Sequence, residues 1–563
     1  MKIISKPAFV LIGIVAVFIG LHLFGLDIPY HQDEYKWRMY AHPEILPPGS
    51  VPHPPLTEFI YTRLGPIVGD ANFRLIPFGF GLINLLLLYY LVRFVFSERT
   101  AQISAVIFTL SFYSLLASLM IDVDGAVMPF FFLIMLIGYF KWKEGKFTYS
   151  KDNVRWIALV LVGIIGGFMI KISALLSVAA VVVDYAVEKN YFSDFKKIVR
   201  YGMFTLLGAS ILVLLLVLSK YVFPFFNLQY SLKYWEHFAN SSSFFARGWF
   251  QTAIQCIKAL LYSSPFLVLI PFFMNKEEWR KLKVFYFFMA FAFIFYVILF
   301  DFSLGALDRY WQLLVLPLTI IASVVLARIF ETKNYRYKEM LLLGSILAIL
   351  LVLLQSLPHF IPPLHPKSEW ITRIINLKWN FVYPFSGGSG PIGFYVSFLF
   401  MALAWIISIV AVIFGLYKKQ YKNLIVFFLI PLGFVYNAVF IEEYLFGIWN
   451  GSSTALVNDA MDYIKNNPKI HYVTAYNDNG GNELQIMGKY RKRLYIDPKF
   501  DIKEKVASLN KYKEHYFVLD IPRIDPSTVY QKYFDSCKVI YHKLDKKISA
   551  TVYDCEKAPD LKI

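Results

Sequence analysis

The segment His31–Leu56, HQDEYKWRMYAHPEILPPGSVPHPPL, gathers ionisable side chains just after the first apolar run. It carries the acids Asp33, Glu34 and Glu44, the histidines His31, His42 and His53, and the cations Lys36 and Arg38. Farther along come Arg74, the acids Asp122 and Asp124 in IDVDG, Lys171 in GGFMIKISALL, and Arg309-Tyr310 before WQLLVLP. A placed carboxylate can take the proton of an attacking hydroxyl, an effect worth about 10²–10⁴-fold. Lysine and arginine can hold an anionic leaving group as its charge develops. Taken singly, each has an ordinary explanation. Asp33 and Glu34 read as solvated loop carboxylates, Asp122–Asp124 as the cap of a following helix and His53-Pro54-Pro55-Leu56 as a rigid turn. Lys171 reads as a snorkelling side chain and Arg309-Tyr310 as an interfacial anchor. The argument for chemistry is their joint placement.

That placement follows from the elements around them. The chain has 563 residues, 57% apolar and 18% aromatic, with only 17% charged, against about 25% in soluble domains. Its mean hydropathy is +0.52. Apolar runs of roughly 20 residues recur, each long enough to cross about 30 Å of hydrocarbon. This excludes an ordinary soluble enzyme and predicts a mainly α, polytopic bundle of about 13 spans. The first run, after Lys2 and Lys6, lacks a small-residue cleavage site and reads as a retained span. The formal charge of +17 does not point to nucleic acid, for which no motif is present. Lysine and arginine instead collect in alternate loops, the pattern of cytoplasmic loops. The intervening segments then lie outside: residues 26–73, 121–125, the turn at Lys171, 220–252, 301–308, 357–391 and everything after about residue 447. This predicts a multi-pass plasma-membrane protein with a cytoplasmic N-terminus. Between Arg155 and Lys171 lie about 16 residues, roughly 24 Å of helix, which puts Lys171 at the outer face. All the candidate residues fall on that one side.

From Asn450 onward the pattern turns soluble. STALVNDAMDYIKNN reads as a helix, IHYVTAY as a strand, NELQIMGKY as a helix, and RLYID and HYFVLDI as strands. DPSTVYQKYF reads as a capped helix, followed by the strands VIYHKL and ATVYD. The expected organisation is a transmembrane domain over 1–446, with a reactive outer loop at 26–73, and an extracytoplasmic α/β domain over 447–563. Cys537 and Cys555 fall in this outer tail, where a disulfide between them is open. Cys256 reads as a packed thiol.

The order Asp33-Glu34 after the first span, HPPL at 53–56 and Arg74 opening the second span resembles the membrane glycosyltransferases of the type-C fold. These include the protein O-mannosyltransferases and the aminoarabinose transferases that modify lipid A. Asp124 between the third and fourth spans, Lys171 at a following turn, Ser264-Pro265 and Arg309-Tyr310 with LLVLP resemble further signatures in the family's order. The likeness covers roughly residues 1–330 and the placement of the tail. It departs at Lys171, followed here by isoleucine, and at Asp33-Glu34, where Trp37 and Tyr40 surround the family's usual tyrosine position. The tryptophan-tryptophan-aspartate motif of oligosaccharyltransferases is absent, which argues against en bloc glycan transfer.

The resemblance implies transfer of one sugar, with inversion, from a dolichyl or undecaprenyl phosphate donor to an acceptor hydroxyl on a protein, lipid or glycan. Asp33 would be the base, with Glu34 second. His53, Arg74, Lys171, Arg309 and Tyr310 would bind the donor headgroup and phosphate, and Asp122 and Asp124 would lie near acceptor or metal. No cofactor is certain, and a divalent metal stays open. His31, Asp33, His53 and Asp124 offer the mixed ligands of a divalent-metal site, though no spacing compels one. The rival readings are a polymerase or ligase of lipid-linked glycans and a lipid or sugar transporter. A transporter would place ionisable residues near the midplane of interrupted helices, the opposite of the pattern here.

Overall fold

The computed structural model describes residues 6–42, 44–47, 49–50, 52–241, 248–299, 307–331, 337–357, 360–363, 368–385, 391–494 and 502–561. The SGGSG stretch at 386–390 and most of the 301–308 loop lie outside the described residues. Among those described, nine helices are long and apolar enough to cross a membrane, or eleven if two bent pairs each make one span. One pair, Glu98–Leu110 with Phe112–Leu119, bends by 68°, and the other, Trp249–Leu261 with Pro265–Phe273, bends by 107°. The sharper bend falls at Ser264-Pro265. Pro265 cannot continue the preceding helical ladder but suits the first turn of a new one, and Ser264 Oγ accepts from Leu267 N at 3.4 Å. The other two expected spans appear as shorter apolar helices, Lys6–Leu23 and Leu175–Glu188. With the bent pairs joined, these two bring the described residues to the expected thirteen; a strict test of length and continuity counts nine because an apolar run registers in hydropathy whether or not its helix is long and unbroken.

Contacts divide the chain into two compact units. The first comprises Met1–Leu26, Trp37–Tyr335 and Gly415–Val426. Its centre is an antiparallel pair of helices, Met128–Glu144 and Lys151–Ile170. Small residues let the two backbones approach, as in many membrane helix pairs. A Cβ on Gly138 would stand 2.6 Å from Trp156 O, and one on Gly163 would stand 2.7 Å from Met135 N. Close packing fixes the register of the pair. The start of one helix, where Asp122 and Asp124 lie, therefore meets the end of the other, where Lys171 lies.

The second unit comprises Asp27–Lys36, Arg336–Phe414 and Phe427–Ile563. A two-stranded antiparallel ribbon, β1 (Val382–Phe385) and β2 (Phe394–Ser397), precedes the apolar helix Phe398–Tyr417. Beyond Asn450 lies a five-stranded sheet made of β3 (Val473–Tyr476), β4 (Tyr490–Leu494), β5 (His515–Leu519), β6 (Lys538–Asp545) and β7 (Ile548–Asp554). Its order is β4-β3-β5-β7-β6. β3 is parallel to β4 and β5, while β7 runs antiparallel to β5 and β6. The helix Ser453–Asn466 starts at Ser452, whose hydroxyl accepts from Ala455 N. The helix Val529–Asp535 starts likewise at Thr528. These elements match the expected alternation, and the helix Ile502–Lys511 is an addition to it. Cys537 and Cys555 form a disulfide across 18 residues.

Candidate active site

In the first unit, a tight sequence of turns builds a buried charge cluster. Asp122 precedes a short π-helical turn, Val123–Val127, and its Oδ1 accepts from Val123 N at 2.6 Å. Gly125 is required within this turn, because a Cβ there would stand 2.6 Å from Ala117 O. Lys171 terminates the helix Lys151–Ile170 in an extended conformation. Thr57, next to the HPPL motif, donates its hydroxyl to Ile170 O at 2.6 Å and so ties the helix Pro55–Val68 to that end.

Asp122, Asp124 and Arg309 are each buried. Lys171 Nζ lies 2.5 Å from Asp124 Oδ2 and 4.5 Å from the Tyr310 ring centroid. Arg309 Nε pairs with Asp122 Oδ2 and lies 3.9 Å from Asp124 Oδ2. Tyr61 donates its hydroxyl to Asp122 O at 3.0 Å. Charges leave water at high cost unless paired; here two acids and two cations from three segments neutralise one another. Asp124 Oδ1 is buried and accepts no protein hydrogen bond among the described residues. The cluster thus holds two cations on buried, exchangeable partners, beside an aromatic ring and a spare carboxylate oxygen.

His53 stacks on Trp37, with ring centroids 5.6 Å apart and planes 7° from parallel, and Trp37 also packs on Tyr61. Arg74 is 1% exposed and donates to Leu119 O at 2.8 Å. Leu119 ends the helix Phe112–Leu119, so this arginine caps a helix C-terminus, where a cation is favoured. Arg38 and His42 converge on Asp70, at 2.8 and 2.7 Å. Hydrogen bonding to that carboxylate raises the His42 imidazole above its usual value. Nothing in the spacing of Tyr61, Thr57 and Asp70 distinguishes them in the sequence from ordinary helix residues.

Asp33 and Glu34 begin the short helix Asp33–Met39, in its part belonging to the second unit. The two acids differ in kind. Glu34 is buried, and its Oε2 accepts from His31 N at 2.9 Å while Glu34 N donates to His31 O at 3.0 Å. Asp33 keeps 31% of its side chain exposed and pairs with the more exposed Lys36. Glu34 therefore shapes the entry to the helix, and Asp33 presents an accessible carboxylate. Of the residues considered for a metal, His31 Nε2 lies 3.1 Å from Asn477 O, while Asp33 pairs with Lys36, His53 with Trp37 and Asp124 with Lys171. Among the described residues, the trio with ligand atoms within 4.8 Å of one another is His515, Asp554 and Glu556, in the sheet region.

Residues 52–223 match the family model described as dolichyl-phosphate-mannose-protein mannosyltransferase. The matched stretch includes His53, Arg74, Asp122, Asp124 and Lys171. The fold is similar to ArnT from Cupriavidus metallidurans bound to undecaprenyl phosphate, with a TM-score of 0.53 and 13% identity over 97% of this chain and 98% of that one. For the apo state of the same protein the TM-score is 0.53 and the identity 12%, over 98% and 99%. No curated protein matches the chain. At such identity the likeness to the solved structures is one of fold. The chain thus has a fold similar to that of ArnT over nearly its whole length, with the mannosyltransferase family match confined to residues 52–223.

Proposed function

We propose that the protein transfers a single sugar from a dolichyl or undecaprenyl phosphate donor to an acceptor hydroxyl at the extracytoplasmic face. The observation that carries this reading is the meeting of Lys171 and Arg309 at one carboxylate, Asp124. Two cations held on exchangeable partners suit a lipid phosphate that gains charge as it leaves. The undecaprenyl phosphate bound by ArnT, similar in fold over nearly the whole chain, supports a donor of this class.

In the reaction, the acceptor oxygen attacks the anomeric carbon and the bond from that carbon to the phosphate oxygen breaks. The electron pair departs with the lipid phosphate, held by Lys171 and Arg309. The acceptor proton passes to the Asp33 carboxylate, which the reading favours over Glu34 because Glu34 is engaged with the His31 backbone. One displacement inverts the anomeric configuration. His53 on Trp37, with Tyr310 beside Lys171, would line the headgroup. Arg74, which donates to Leu119 O, would stand with them in this reading. The α/β region after Asn450 is the extracytoplasmic domain of this reading, and the N-terminus is cytoplasmic.

The test uses purified protein in detergent with radiolabelled polyprenyl-phosphate sugars, dolichyl-phosphate mannose first, and candidate acceptors. Release of lipid phosphate from one donor is the expected outcome. Consumption of none would bring the transporter and polymerase readings forward.

A further inference from the structure

In the α/β sheet the chain passes from β3 to β4 on one side and then returns to β5 on the other. The C-terminal ends of β3 and β5 therefore form a topological switch point, the edge at which open α/β sheets present their functional loops. The loop leaving β3 there is Asn477-Asp478-Asn479-Gly480. Asn477 and Asp478 take left-handed backbone angles, φ 51° and 61°, which asparagine and aspartate tolerate better than other side chains. The turn is fixed by Asn477 N donating to Leu494 O at 2.8 Å and by Gly481 N donating to Asp478 O at 3.1 Å.

This edge is filled by the chain's own residues 31–35. His31 Nε2 lies 3.1 Å from Asn477 O. Gln32 Nε2 donates to Asn477 Oδ1 at 2.9 Å and to Asn477 O at 3.3 Å. The Tyr35 hydroxyl donates to Asp478 Oδ2, and Tyr490 donates to Asp478 Oδ1 at 2.8 Å. His31, Gln32, Tyr35, Asn477 and Asp478 are all buried. Burial and the Asp478 carboxylate push the Tyr35 phenol upward, so it remains a donor throughout the working pH range. The tied residues bracket Asp33 and Glu34. Hydrogen bonds to an ionised acceptor are the strong ones, and Asp478 holds Tyr35 from a turn anchored in the sheet.

We propose that Asn477 and Asp478 are positioning residues: the switch-point loop of the α/β domain clamps the first turn of the helix Asp33–Met39 and so fixes the orientation of the Asp33 carboxylate. This rests on Asp33 being the base. The domain then acts as part of the catalytic frame, its ligand edge given over to the chain's own reactive segment.

The test measures the full-length protein in detergent, using the donor that wild type consumes in the panel above. Tyr35→Phe removes one hydroxyl, and Asp478→Asn alters the acceptor while keeping a residue suited to a left-handed turn. Both are expected to lower kcat about 100-fold or somewhat less, with little change in donor KM, as misplacement of a catalytic group does. Amide exchange across 33–39 should quicken while the melting temperature holds. On an Asp33→Asn background, Asp478→Asn should cost little further activity, because residues acting through one group are not additive. If Asp33→Asn is impaired and both clamp variants turn over like wild type, the clamp is overturned and the base assignment stands. If Asp33→Asn is itself fully active, the base reading fails and takes the clamp with it. Loss of kcat together with a lowered melting temperature and unchanged exchange at 33–39 would reduce the loop to a structural role and overturn the proposal.

Discussion

Lys171 Nζ lies 2.5 Å from Asp124 Oδ2 although 47 residues separate them. The pair is built from opposite ends of two antiparallel helices whose glycine-mediated packing leaves little freedom of register. Asp124 is fully buried and only 14% of the Lys171 side chain is exposed, so neither charge has water to replace a lost partner.

Removing one member strands the other. Lys171→Met is expected to destabilise the protein by about 3–5 kcal/mol, the usual consequence of an uncompensated buried charge. Lys171→Met with Asp124→Asn should recover a good part of that loss. Thermal unfolding in one detergent checks both, and equal destabilisation by the single and double variants would show that the pair is not coupled.

The two carboxylates of Asp33-Glu34 should separate by function. Asp33→Asn is expected to lose about 100-fold or more in turnover, as loss of a general base does, with donor binding retained. Glu34→Gln keeps an acceptor oxygen for the His31 amide and should show the smaller kinetic loss. Comparing kcat with KM for lipid-phosphate release decides between them, and the reverse ranking would move the base to Glu34.

Asp520, at the C-terminal end of β5, has its carboxyl pushed up to about 7 by burial, with Arg523 pulling the other way. An acid raised in the folded state stays protonated while its unfolded counterpart ionises. Stability from this group therefore falls as pH rises from the unfolded value, about 4, through about 7, and levels off above it. Amide exchange of β5 should accordingly be slower at pH 5 than at pH 8, after correction for intrinsic rates. Asp520→Asn should flatten that difference; an unchanged slope would assign the pH dependence elsewhere.

The Cys537–Cys555 bridge closes a loop that contains β6 and β7. Replacing both cysteines with serine should cost the α/β region about 2–4 kcal/mol, mainly by loosening the unfolded chain. The measurement is protease resistance of the region after Asn450, with and without reductant. Reductant should weaken wild type and leave the serine variant unmoved.

Much of this protein is legible in its sequence because the governing physics is local. Apolar runs long enough to span hydrocarbon declare themselves without reference to the rest of the chain. So does the switch after Asn450 to capped helices and short β-branched strands. The order of Asp33, His53, Arg74, Asp124, Lys171 and Arg309 was enough to suggest a glycosyltransferase. Continuity of a helix is less local: hydropathy could not show the 107° break at Ser264-Pro265.

Only the tertiary structure decided what each charged residue contacts. Sequence placed Arg74 among the phosphate ligands without showing that it also donates to the carbonyl of Leu119. Sequence ranked Asp33 ahead of Glu34 by resemblance alone; the structure adds that the His31 backbone engages Glu34 while Asp33 keeps 31% of its side chain exposed. The contact of His31 with Asn477 joins positions 446 apart. Residue type states which hydrogen bonds and ion pairs a side chain can make; which it does make depends on helix register and strand order, and those are settled by packing across the whole chain.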